Sequence, residues 1–303
     1  MPSLKTIRKK IVSTKATQKI TRAMKMVAGA RLTRAQQRIV AMRPYAVKTA
    51  EVLQSVARTM ASDEAANEPA HPLLARRPEK KALFVVFSAD RGLCGALNTN
   101  VNKTTEREWR EKEAAGIGVS FATLGRKGRE YLGRRQADVA RDFPRIYEGL
   151  DLDKARAVAR WIVQRFERGE VDSVYFVFSE FKSAITQKVT FDRLLPLAGD
   201  DDVNAKSAQA ADGQLAPNDY IYEPDRRALL ERLVPMYVEI TIYRALLESQ
   251  ASFFGAQMTA MDAATRNAKD MIARYTLIYN RARQAAITKE LMEIIGGAEA
   301  LKE

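Results

Sequence analysis

The residues with chemical potential in this chain are few. The most suggestive stretch is SADRGLCGALN (88–98), a glycine-rich turn placed between an apolar run and a helical pattern. A strand–glycine–helix turn can cradle phosphate on the N-terminus of the helix. No lysine or second anion-binding motif accompanies this one, so tight-turn structure or a protein contact competes with nucleotide binding. The chain has no GxxxxGK[ST] loop, GxGxxG, HExxH or CxxC. Cys94 lies inside the turn as the sole cysteine, which excludes an internal disulfide. With no histidine near it in sequence, a structural thiol is expected rather than a nucleophile. The sole histidine, His71, falls in a proline-rich stretch. One histidine cannot build a His-based metal cluster, and a Ser/His/Asp triad is not expected. No cofactor and no metal are expected from these residues, while an α/β enzyme with helical arms stays open as a rival reading.

The charge is distributed unevenly. Lys plus Arg number 50 against 37 for Asp plus Glu, a net +13. Residues 1–50 hold thirteen basic residues and no acidic one; the other 253 then carry 50 − 13 = 37 basic against 37 acidic. Such a segment needs an anionic partner or a solvated face. Nucleic acid is one candidate, although the segment offers only Tyr45 for stacking and no groove-reading motif. A basic, acid-free start also resembles a transit peptide in composition. No run of about 18 apolar residues is present, so no membrane span is expected.

These residues must be positioned by a larger frame. Residues 4–60 read as one long helix of roughly 80 Å. Leu4, Ile7, Ile11, Ile20, Met24 and Val27 serve as its apolar seam, Gly29 lies inside it, and Pro44 is a kink or a join. Residues 61–80 are a linker by composition. Runs at 82–88, 117–124 and 171–178 suit buried strands, and 185–193 suits an antiparallel edge. Residues 96–115 and 151–168 suit helices. This is a small α/β layer domain. Residues 199–219 read as loop.

Residues 225–296 are helical again, with Pro235 at the start or at a kink, and Gly296 and Gly297 as a stop signal. Phe254, Met258, Met261, Thr265, Ala268, Ile272, Tyr275, Tyr279, Ala282 and Ala286 step alternately by four and three. That 3.5-residue period is a coiled-coil seam. Each terminal helix needs a partner, and an antiparallel coiled coil with the α/β domain inserted answers both; a packed bundle is the alternative. The fold class is α+β overall. The segments are 1–60 (helix), 61–80 (linker), 81–198 (α/β domain), 199–219 (loop) and 220–303 (helix).

Three segments together resemble the γ family of rotary F-type ATP synthases: residues 7–36, the turn 88–98, and MTAMDAATRNAKDMIARYTLIYNRARQAAITKELMEIIGGAEAL (258–301). YIYEPD (220–225) and IYRALLESQAS (242–252) precede the last. The resemblance implies a non-catalytic central rotor, coupling proton flow through a membrane ring of c subunits to ATP synthesis at α/β subunit interfaces. It implies partners: α and β subunits, the ε subunit and the c ring, with no nucleic acid. It implies that Met24, Arg283, Gln284 and Thr288 contact the β subunit. It implies that Asp90, Arg91, Gly92, Cys94, Tyr220 and Tyr222 serve the base and foot near ε and the c ring. Because the match begins by residue 4, no transit peptide is expected, and a bacterial subunit on the cytoplasmic face of the inner membrane is. Lys25 stands where the family commonly has an acid, so no charge pairing is expected there. Gly29 stands where alanine is usual. Phe253 and Phe254 replace polar residues, so local packing peculiar to this chain is expected.

Overall fold

The computed structural model describes residues 3–63, 71–75, 77–197 and 226–300. The expected loop 199–219 and residues Tyr220 and Tyr222 lie outside the described residues, as does part of the expected linker. The chain divides into two units: Met1–Gly29 with Gln257–Glu303, and Ala30–Ala256.

The larger unit is built on a five-stranded sheet. Its strands are β1 (Lys81–Phe87), β2 (Gly118–Leu124), β3 (Val139–Phe143), β4 (Ser173–Phe181) and β5 (Gln187–Leu195). Their order is β3-β2-β1-β4-β5. All neighbours are parallel except β4 and β5, which pair antiparallel from Val174 opposite Leu195 to Phe181 opposite Gln187. Helices α2 (Leu97–Ala114), α3 (Arg126–Gly133) and α4 (Leu152–Glu167) make the crossovers.

Strand periodicity explains the two cores. In β1, Leu83, Val85 and Phe87 point to one face, and Ala82, Phe84 and Val86 to the other. Because both faces are covered, the strand is apolar throughout rather than alternating. The first face packs with Ile162 and Phe166 of α4 and with residues 230–247 of the C-terminal helix α5 (Arg226–Ala300). The second packs with Val101 of α2 and Leu132 of α3. Aromatic side chains lock the second layer: Phe84 meets Phe121, Tyr175 and Phe191 edge-on at 5.2–5.8 Å. The N-terminal helix α1 (Leu4–Asp63) adds Ile39, Met42 and Val52 to the first core.

The strands and helices read from the sequence appear within a few residues of their expected positions. The short α3 and the edge strand β3 are additions. Pro44 is not a join, Pro235 does not start its helix, and Gly296 and Gly297 do not end theirs: both prolines sit inside continuous helices, and α5 runs on to Ala300. A proline removes one backbone donor and a glycine costs about 1 kcal/mol in a helix. Neither is decisive in helices of 60 and 75 residues.

The smaller unit is a pair of antiparallel helical segments. Cross-helix contacts run Lys10 with Tyr275, Thr21 with Thr265, and Lys25 with Asp262. Rising numbers on one segment meet falling numbers on the other. On α5 the expected seam holds: Met261 and Ala268 are buried, and Met258, Thr265, Ile272, Tyr275, Tyr279, Ala282 and Ala286 are half-buried. On α1 the expected seam is corrected. Leu4, Ile7 and Ile11 begin it, but Ile20 and Val27 are more than half exposed. Met24 keeps its place, and the other covered positions are Thr14, Gln18, Thr21 and Ala28. The 3.5-residue step is kept by small and polar residues, which leaves several large apolar side chains on the outer face.

Candidate functional site

The turn 88–98 lies at the carboxyl end of β1. The sheet order reverses there, between the neighbours β2 and β4, which is where open α/β sheets bind ligands. In this chain the turn is spent on structure. The Ser88 hydroxyl donates to the Gly125 carbonyl at 3.0 Å and accepts from the Gly128 amide at 2.7 Å. The Asp90 carboxylate accepts from the Arg126 amide at 3.1 Å. Together Ser88 and Asp90 cap α3, occupying donors that would otherwise face an anion. The Asn98 side chain accepts from the Ala89 amide at 3.0 Å and donates to the Arg91 carbonyl and the Cys94 sulfur, both at 3.3 Å. Leu93 and Gly95 take positive φ, which closes the loop.

Helix α5 fills the crevice. The Ser252 hydroxyl donates to the Ser179 carbonyl at 2.9 Å, beyond the middle of β4. Ala256 and Phe253 pack on Cys94 and Leu97. Cys94 is buried, and burial pushes its thiol pKa up, so it is a structural thiol as expected. Phe253 and Phe254 pack edge to face at 5.4 Å, and the Arg31 guanidinium lies 5.8 Å from the Phe254 ring. Phe253 thus serves the lid over the turn, and Phe254 packs between Phe253 and Arg31. What the turn leaves outward is Arg91, Gly92, Leu93, Gly95 and Ala96, all exposed, with Asp90 half-buried.

His71 is also structural. Its Nδ1 accepts from the Leu73 amide at 3.1 Å and starts the short 3-10 turn Pro72–Leu74. Burial lowers its pKa, favouring the neutral ring. Among the described residues no group of His, Cys, Asp and Glu could hold a metal ion, and no helix is long and apolar enough to cross a membrane.

The other predicted positions lie on the paired helices. Met24 is half-buried; Arg283, Gln284 and Thr288 are exposed. They belong to the smaller unit, and the 88–98 turn belongs to the larger. Lys25 is a correction. Its ammonium reaches Asp262 at 2.5 Å, and Asp262 also forms an ion pair with Arg266 at 3.0 Å. The ammonium of Lys25 holds the Asp262 carboxyl below its usual range. The acid that α1 lacks at this level is supplied by the opposite helix.

A feature missed from sequence is the outer face of the pair. Val12, Ile20, Met26 and Val27 on α1 are each more than half exposed. So is Leu277 on α5, and so are Ile287, Leu291, Met292, Ile294 and Ile295, which lie past the residues that meet the start of α1. These side chains lie among the exposed basic residues of α1, so the outward surface of the pair is part apolar and part basic.

The fold and the site together define a long-helix protein carrying a doubly wound domain whose ligand crevice is closed by its own chain. Residues 3–301 match the family model described as ATP synthase. The ATP synthase gamma chain of Sorangium cellulosum (strain So ce56) is 54% identical, with all of both chains covered. That of Geobacter sp. (strain M21) is 46% identical, again over all of both. A chain from the Euglena gracilis mitochondrial ATP synthase, in its OSCP/F1/c-ring structure, shares the fold with TM-score 0.64 at 21% identity, covering 98% of this chain and 94% of that one. A chain of the Tetrahymena thermophila central stalk/c-ring structure gives 0.60 at 23%, covering 81% and 99%. The chain belongs to the ATP synthase gamma-chain family.

Proposed function

We propose that this chain is the central rotor of an F-type ATP synthase and forms no bonds itself. The observation that carries this reading is the outer face of the paired helices, apolar and strongly basic, which needs a sheath of other subunits. Its partners are a ring of α and β subunits around the helices, and ε and the c ring at the base. Proton flow through the c ring turns the shaft. ATP forms at the α/β interfaces, each driven through successive conformations by the asymmetric rotor, a forced shift of population.

Met24, Arg283, Gln284 and Thr288 are the contacts to the β subunit in this reading. The exposed Arg91 and Gly92, with Asp90, belong to the base surface, and buried Cys94 acts by holding the turn. Tyr220 and Tyr222 are assigned to the foot on the resemblance alone. The division 1–60, 61–80, 81–198, 199–219 and 220–303 is the working segmentation. The complex sits on the cytoplasmic face of a bacterial inner membrane. The basic helix faces acidic surfaces of β, an attraction screened by salt over about 8 Å.

Reconstitution tests the reading. A tagged chain purified from membranes should bring α, β and ε with it and support ATP turnover that rotates it. Tight, salt-steep binding to DNA with no α or β recovered would overturn it.

A further inference from the structure

The paired-helix unit carries one short ladder of polar contacts across its seam. Thr21, buried, and Thr265 place their hydroxyls 2.8 Å apart. Thr265 also bonds the Met261 carbonyl at 2.7 Å, so the chain of donors runs from Thr21 to Thr265 to Met261. One turn on, the Lys25 ammonium meets Asp262 at 2.5 Å. The second oxygen of Asp262 is held by Arg266 at 3.0 Å, which aims the carboxylate across the seam. One turn further, a Cβ on Gly29 would lie 3.5 Å from the Met258 sulfur.

The rest of the seam specifies register weakly. Its repeat is seven residues, so a slide by one heptad, about 10 Å, again presents seam residues to seam residues. The polar rungs break that degeneracy. Sliding α5 one heptad in one direction brings Ile272 opposite Thr21 and Lys269 opposite Lys25. The other direction brings Met258 opposite Thr21 and Gly255 opposite Lys25. In the first case like charges face each other; in the second Lys25 has no acid. Either way Thr21 keeps only the Gln18 carbonyl of its own helix, at 3.1 Å.

We propose that Lys25 and Asp262, backed by the Thr21–Thr265 rung, are positioning residues that lock the axial register of the two helices. A rotor passes torque along this pair, and a pair able to slide by a heptad would dissipate it; only that consequence rests on the proposed function, since register can be measured on the chain alone.

Three double-cysteine chains report register by oxidative cross-linking: Thr21→Cys with Thr265→Cys for the observed pairing, and Thr21→Cys with Ile272→Cys or with Met258→Cys for the two slides. Peptide mapping separates these links from any through Cys94. Each is made in the parent, in Asp262→Lys, and in the exchanged Lys25→Asp/Asp262→Lys. The parent should cross-link at 21–265 at least tenfold over either slid pair. Asp262→Lys should raise a slid pair at least threefold at the expense of 21–265, and the exchange should restore the parent distribution. If Asp262→Lys loses helical circular dichroism, Asp262→Asn replaces it with the same expectation. An unchanged distribution in the variants, or an exchange that fails to restore it, overturns the proposal.

Discussion

Gly125 lies directly beneath the Ser88 carbonyl: a Cβ at Gly125 would stand 2.0 Å from that oxygen, and the residue has φ +107°. The close approach brings the end of β1 against the start of α3, so that Ser88 bonds both Gly125 and Gly128. Gly125→Ala is expected to cost roughly 2–4 kcal/mol, because strain and clash fall on backbone that cannot rotate away. Urea unfolding of the isolated chain checks this; a loss under 0.5 kcal/mol contradicts the geometry.

Gly29 presents the opposite case. Its neighbour, the Met258 sulfur, is at ordinary contact distance from an added methyl. Gly29→Ala should therefore stabilise the paired helices by up to about 1 kcal/mol through helix propensity alone. A lower melting temperature would show that the seam is tighter there than the geometry allows.

Glu248 gives a pH prediction. Burial raises its carboxyl pKa, against the opposing Arg244 guanidinium at 2.8 Å, with Glu180 and Lys182 acting more weakly. One of its oxygens is buried with no hydrogen-bond partner. The folded state then holds a proton that the unfolded chain releases near the ordinary carboxyl value. Its contribution is full below that value and is lost as pH rises through the folded pKa. Glu248→Gln should melt higher than the parent at pH 8, with the gap closing toward pH 4.5. A gap that widens on acidification would reverse the assignment.

Cys94 should be silent to thiol reagents in the native chain. It is 2% exposed and its pKa is raised by burial, so thiolate is scarce at neutral pH. Labelling with a chromogenic disulfide should be slowed at least a hundredfold relative to the urea-unfolded chain. Rapid native labelling would mean that α5 lifts from the turn.

Arg283 is exposed on the paired helices. Arg283→Glu should lower ATP turnover by the assembled complex severalfold while leaving the chain's own unfolding midpoint within about 0.5 kcal/mol. An unchanged rate counts against the contact with β.

The sequence was most legible where burial is two-sided or strictly periodic. The β1 run could only be a covered strand, and the α5 seam from Met258 to Ala286 carries its period without interruption. It was less legible where small elements mix their signals. β3 contains Arg141 and Asp142 on an edge, and α3 has only eight residues, Gly128 and Gly133 among them. On α1 the closeness of the two helices, not apolarity, decides which side chains face the partner. Ile20 and Val27 are larger than Thr21 and Ala28, yet the close pairing selects the small side chains. Lys25 looked unpaired because its acid lies 237 residues away. The filled crevice beside Ser88 could not be read at all, since it depends on where Ser252 and Ala256 of a distant helix come to rest.

The most direct measurement is single-molecule rotation. A bead is fixed through a cysteine placed at Glu113, exposed near the end of α2, and the complex is immobilised by its β subunits. Unidirectional rotation driven by ATP is expected, with no ATP binding or turnover by the isolated chain in calorimetry. ATP hydrolysis with a stationary bead, or nucleotide turned over by the chain alone, would contradict it.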